Sequence, residues 1–267
     1  MLPIDIEIGK KVEDSTDLCN RVVLKFYMQS PEKLWQTTLP CYILFNSLRK
    51  LKQTARITNI VCIGLGTLQL KDPTKTGSTV QHIVASSIAQ DLERIYKANG
   101  TPLKRPIRII AQDPTYNNLD RLALAKLPVP IEIVSDPEGF LAINESSLVF
   151  ASYPTVPVKQ LIADLSSEAP GGRGPAALFL NNNYTGEAHG DVNFVKYDWD
   201  APTRHANPET GAYLRMLESY IRVLDGERRF GENFSLFVPV FEGKTAYIPG
   251  YEWFPRMEVW ARTEHKL

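Results

Sequence analysis

The sequence holds little of what many catalytic and structural sites are built from. Cysteine occurs three times (Cys19, Cys41 and Cys62) and histidine four times in 267 residues. Three widely spaced thiols argue against a disulfide framework or a zinc knuckle and suit a reducing compartment. Net charge is missing too, because Lys plus Arg and Asp plus Glu are 30 each. Broad, sequence-independent nucleic-acid binding needs a cationic excess, so that class is excluded, although a local basic patch is not. No stretch approaches the roughly 20 apolar residues of a membrane-spanning helix. The start, MLPIDIEIGKKVED, has no basic segment followed by an apolar core and does not read as a signal peptide. The expectation is a soluble, cytoplasmic protein with reduced thiols, whose range could include the nucleus. The sequence contains no Gly-x-Ser-x-Gly elbow, Walker loop, His-Glu-x-x-His or paired Cys-x-x-Cys, and no internal repeat.

What is present is a globular composition: 43% apolar, 22% charged, with 16 Gly and 19 Pro. That is enough apolar material for a sizeable core. Residues 1–55 read as a leader packed on the core, with a strand at Val22–Met28. A helix capped by Ser30 opens at Pro31 and is limited by Pro40. A second apolar stretch runs from Cys41 to Leu51. Residues 56–184 alternate short apolar runs with amphipathic segments. The strands are Ile57–Ile63, Ile107–Ala111, Ile131–Val134, Ser147–Ala151 and Ala176–Leu180. The helices are Thr79–Tyr96 (capped by Thr79), Leu119–Leu127 and Val158–Leu165. This alternation predicts an α/β, Rossmann-like, mostly parallel sheet flanked by helices. Residues 185–267 complete the same domain. There Asn207-Pro208-Glu209 starts a helix whose apolar face holds Tyr213, Leu214, Leu217, Tyr220, Ile221 and Leu224, and Gly226 stops it. An aromatic-rich extension follows, with strands at Phe234–Val240 and Met257–Arg262.

In an open α/β sheet, ligands bind at the strand carboxyl ends. The residues there are therefore the candidates. Gly64, Gly66 and Thr67 follow the first strand, where a glycine turn lets backbone N–H groups approach a phosphate, carboxylate or nucleoside. The third glycine of the dinucleotide fingerprint is replaced by Gln69, so standard NAD binding is disfavoured. Asp113, and more weakly Asp136, each follow a strand and precede Pro; an acid there can accept from ribose hydroxyls or simply start a turn. His82 near the start of the long helix, and Asn181 at the end of the fifth strand, complete the ligand-binding set. Weak catalytic candidates are Asp113, Tyr153 and Tyr213, with Glu218 and Tyr220 near the last of them. Glu187, His189, Asp191, Asp198, Asp200 and His205 match no metal-ligand spacing and read as an acidic loop, so no metal is expected. Arg49, Lys50, Lys52 and Arg56 form a basic run, read first as a solvated face and second as a patch for a specific RNA.

The stretch Ile60-Val61-Cys62-Ile63-Gly64-Leu65-Gly66 resembles the start of the sensitivity to red light reduced-like (SRR1-like) family. The resemblance continues through Ile110-Ala111-Gln112-Asp113-Pro114-Thr115, Leu148-Val149-Phe150-Ala151 and Phe179-Leu180-Asn181-Asn182-Asn183-Tyr184. It covers residues 57–184 and implies a Rossmann-like fold. In plants and yeast the family is linked to light and clock signalling, tetrapyrrole metabolism and cytoskeletal stability, with no agreed catalytic activity. Family members carry a Met-Pro-His-Cys-like element where this chain has Ala151-Ser152-Tyr153-Pro154-Thr155. A thiol, imidazole, metal or haem role tied to that element is therefore not implied here. The aromatic extension looks like that of divergent fungal-type members.

Three functions fit these readings. The first is a small-molecule or nucleotide-binding protein with a regulatory or metabolic role, its ligand drawn from nucleotides, S-adenosylmethionine or haem. The second is an enzyme of specialised metabolism, a transferase or isomerase, with aminoacyl-tRNA among its conceivable substrates. The third is a non-catalytic interaction protein that forms a homodimer through the aromatic extension.

Overall fold

The computed structural model describes residues 32–68, 77–181, 209–230, 237–240, 244–247, 250–251 and 253–263. The strand expected at Val22–Met28, the cap at Ser30, Cys19 and the acidic loop at 187–205 lie outside them. After a helical turn at 32–36, the elements are α1 (Leu39–Leu48), β1 (Asn59–Ile63), α2 (Gly77–Ala98), β2 (Arg108–Gln112), α3 (Asn118–Leu124), β3 (Ile131–Ile133), α4 (Glu138–Leu141), β4 (Ser147–Ala151), α5 (Val158–Glu168), β5 (Ala177–Asn181), α6 (Gly211–Leu217), β6 (Tyr220–Asp225), α7 (Gly226–Phe230), β7 (Phe237–Val240), β8 (Lys244–Tyr247) and β9 (Met257–Arg262).

The main sheet has seven strands in the order β3-β2-β1-β4-β5-β9-β6. Strands β1 to β5 are mutually parallel, and β9 runs antiparallel between β5 and β6. A separate hairpin joins β7 and β8. The expected α/β, Rossmann-like, mostly parallel sheet is thus observed. Its short apolar runs are strands because both faces are covered. Ile60 and Cys62 point into one apolar layer, with α1 and α2, while Val61 and Ile63 point into the other, with α5 and α6. The period of two along the strand thus divides the side chains between two cores. No described helix is long and apolar enough to cross a membrane.

Several expectations need correction. Pro40 does not limit a helix; it sits in the first turn of α1, where its missing N–H costs nothing, and Thr38 caps that helix by accepting from Cys41 N at 3.2 Å. Thr79 is not a cap either: α2 already begins at Gly77, and the Thr79 hydroxyl donates to Leu68 O. The helix read through residue 224 ends at Leu217. It is capped by Thr210 rather than Asn207, and Tyr220, Ile221 and Leu224 lie on strand β6, paired with β9. The Tyr-Ile-Arg-Val-Leu run suits an edge strand, and long-range pairing there overrides a pattern that fits a helix equally well. Gly226 opens α7 instead of stopping a helix. A Cβ at that position would stand 2.6 Å from the carbonyl oxygens of Met257 and Pro255. Of the extension's aromatics, Tyr251, Trp253 and Phe254 are core residues. Trp253 and Phe254 pack on the stacked Phe150–Phe179 pair, and Phe254 also touches Trp35.

Candidate functional site

The chain leaves β1 at Ile63 into a tight turn. Gly64 (φ +67°) and Gly66 (φ +76°) are both left-handed, a conformation that disfavours a side chain. Gly64 is wedged between two strand ends. Its N–H donates to Gln112 O at 3.0 Å, and a Cβ on it would stand 3.3 Å from Pro154 Cα.

The N–H groups that follow already have acceptors. Gly66 N donates to Asp113 Oδ2 at 2.8 Å, Thr67 N to Thr115 Oγ1 at 3.1 Å, and Leu68 N to Asp120 Oδ1 at 3.0 Å. The Thr67 hydroxyl donates to Asp120 Oδ2 at 2.8 Å. Asp113 is braced in turn by Thr115, whose N–H and hydroxyl donate to Oδ1. Asp120, 1% exposed, also accepts from Asn117 N, closing a capping box at the start of α3. Two carboxylates of the chain thus stand where an anion would meet the turn.

His82 joins the same group from α2. Its Nδ1 lies 2.7 Å from Ser78 O and its Nε2 lies 2.6 Å from the Tyr116 hydroxyl. A carbonyl can only accept, so Nδ1 carries the proton and Nε2 accepts from Tyr116. Ser78 in turn donates to Gly66 O at 2.9 Å, tying α2 to the turn. Burial pulls the imidazole down to about 4, against the raising effects of Ser78 O, Asp120 and Asp113. Burial also holds the Tyr116 hydroxyl well above its usual range, as do the nearby Cys62, Asp113 and Asp120. Both groups are therefore neutral near pH 7 and position the turn rather than exchange protons.

The other candidates are spread over the fold. Asp136 accepts from Gln112 Nε2 at 2.7 Å, and Gln112 Oε1 takes the N–H of Gly139. Tyr153 is half-buried and bonded to Arg256, whose cation partly offsets the upward push of burial. Asn181 is buried at the end of β5, opposite Met257. Tyr213 lies under α5 on the opposite core layer, where its ring faces the Lys159 ammonium at 5.5 Å. Tyr220 packs in the same core layer as Tyr213, but its hydroxyl donates to Pro175 O, and Glu218 closes α6. In the basic run, Lys50 donates to Val223 O, and Arg56 binds Thr101 O and covers the Tyr96 ring. These two cations are turned onto their own chain.

Gly64, Gly66, Thr67, His82 and Asp113 therefore form one bonded group, whereas Tyr153, Asn181 and Tyr213 stand apart from it. The residues missed in the sequence are Thr115, Tyr116, Asp120 and Lys159. The Asn117-x-x-Asp120 spacing was a usable capping signal. Lys159 sits on the same α5 face as Ile162 and Ala163, a place where a charge is out of pattern. An open groove of about 650 Å³ lies at the other end of β2 and β3, lined by Ile107, Arg108, Ile131 and Glu132 among others, and includes none of these residues.

A search of curated proteins found no match. A family model for the SRR1 domain matches residues 15–219 and so spans more than half of the chain, including β1 to β5 and the glycine turn. The protein therefore belongs to the SRR1 domain family.

Proposed function

We propose that the protein binds a small molecule or nucleotide at the carboxyl ends of β1, β2 and β4, in a regulatory or metabolic role. The observation that carries this reading is the strand order. Strand β1 lies between β2 and β4, so successive crossovers leave it on opposite sides, and the left-handed glycine turn sits at that switch point. Open α/β sheets bind ligands at such a point.

The chemistry of the turn narrows the ligand. Gly66 N, Thr67 N and Leu68 N are already bonded within the chain, so they do not offer a phosphate cradle. Asp113 is half-buried, and its oxygens bond to N–H and hydroxyl groups, with no described Lys or Arg among them. Such an edge suits a ligand that brings hydrogen-bond donors or positive charge, which places S-adenosylmethionine ahead of nucleoside triphosphates and haem. Calorimetric titration with S-adenosylmethionine, adenosine, ATP and haem tests this. Saturable heat with either of the first two supports the reading, and no binding by any of the four overturns it.

The enzyme reading needs Asp113 within hydrogen-bond reach of a Tyr, His or Glu in one pocket. Its bonds are to Gly66 and Thr115 instead, so that reading takes second place. The burial of Tyr251, Trp253 and Phe254 likewise lowers the claim of an aromatic dimer surface.

A further inference from the structure

The groove of about 650 Å³ lies at the amino ends of β2 and β3, where β3 forms one edge of the main sheet. Buried Ile107 and Ile131, with the less buried Ala125, Pro128, Val129 and Pro130, give it apolar walls. It has few hydrogen-bond donors to offer. The prolines have no N–H, Val129 N donates to Ser86 Oγ at 3.1 Å, and Ile107 N donates to Glu93 Oε1 at 2.7 Å. Such a groove suits an apolar side chain better than a nucleotide or a peptide backbone.

Two features beside it make this surface complementary to itself. Leu122 is 50% exposed and stands three residues before Ala125 on the same helical stripe, so an apolar knob lies next to the hole. On the rim, Arg108 Nε and Nη2 both donate to Glu132 Oε2, at 2.8 and 2.6 Å. Arg108 Nη1 and Glu132 Oε1 have no partner among the described residues. The two side chains are 61% and 51% exposed, and an exposed pair within one chain contributes little to stability. A twofold axis beside the pair sets the free nitrogen of each copy against the free oxygen of the other, as an isologous contact requires. We propose that the protein forms a symmetric homodimer through this groove. Leu122 of each copy fills the groove of the other, and Arg108 bridges to Glu132 across the axis. This surface is separate from the aromatic extension. It also leaves the glycine turn, at the other end of the strands, open, so the inference stands whatever binds there.

Sedimentation velocity of the full chain across a dilution series, with wild type, E132R, R108E and L122E, tests this. Wild type should be a concentration-dependent dimer. E132R and R108E should each raise the dissociation constant at least about tenfold, because like charges then meet across the axis. An equal mixture of the two should recover the dimer, since one variant brings two cations to the axis and the other two carboxylates. L122E, which leaves both strands unaltered, should be monomeric. A monomeric wild type, a dimer insensitive to either the charge reversals or L122E, or a mixture no more dimeric than its components overturns the proposal.

Discussion

Replacing Asp120 by Ala removes three hydrogen bonds at one stroke. The carboxylate accepts from Leu68 N at 3.0 Å, the Thr67 hydroxyl at 2.8 Å and Asn117 N at 2.9 Å. A hydrogen bond to a charged group contributes about 1.5–3 kcal/mol, but the three do not simply add. Thr67 is half-buried and Asn117 is exposed, so both can turn to water, while Leu68 is buried and its N–H would be left without an acceptor. The expected loss is therefore about 3–4 kcal/mol, near the upper end for a single substitution. N117A is the control. It removes the side-chain acceptor that caps α3 and the exposed bond from Asn117 Nδ2 to Thr67 Oγ1 at 3.2 Å but leaves the turn's bonds to Asp120, and it should cost about 1–2 kcal/mol. Urea titration followed by circular dichroism measures both, and equal slopes would show that the denatured state is unchanged. If D120A loses no more than N117A, Asp120 does not hold the glycine turn and the account of the site is wrong.

Three further outcomes follow from the same turn. His82 titrates near 4 when folded, against an ordinary value of 6.5, so the unfolded chain binds the extra proton between those values. Its contribution is present above pH 6.5 and is lost as pH falls towards 4, at most about 3 kcal/mol; urea titrations across that window should show a flatter pH dependence for H82Q than for wild type. Gly66→Ala should cost about 1–2 kcal/mol through its positive φ alone, because its Cβ would make only ordinary contacts with the Ser78 side chain, Oγ at 3.7 Å and Cβ at 3.9 Å. Gly64→Ala should cost more, since Pro154 Cα lies 3.3 Å from the added carbon; equal urea midpoints for the two variants would contradict this packing.

The parallel sheet was legible because its strands are buried on both faces, which leaves continuous β-branched runs such as Ile60-Val61-Cys62-Ile63. Strand β6 was not legible. The spacing of Tyr213, Leu217, Tyr220 and Leu224 serves a helix as well as it serves a short helix followed by a strand, and only pairing with the distant β9 decides between them. Pro40 misled for a related reason: proline both ends helices and opens them, and only the Thr38 cap shows which applies. At the candidate site, Gly64, Gly66 and Asp113 could be found because their position at strand ends is local information. The Asn117-x-x-Asp120 spacing could have marked Asp120 as a capping residue, but its hold on the glycine turn, and the role of Tyr116, could not be found, because they arise from the approach of the β2–α3 connection to the β1 turn. Lys159 escaped notice because a helical lysine is ordinarily solvated, and its burial follows from the packing of α6 against α5.

The central claim is that the ligand meets the chain at the glycine turn. The most direct measurement is amide chemical-shift mapping of the ¹⁵N-labelled protein during titration with S-adenosylmethionine. The account predicts saturable shifts at Gly64, Gly66 and Thr67, with smaller ones at Asp113 and Tyr153. Shifts confined to the groove at Ile107, Arg108 and Glu132, or no shifts at all, would contradict it.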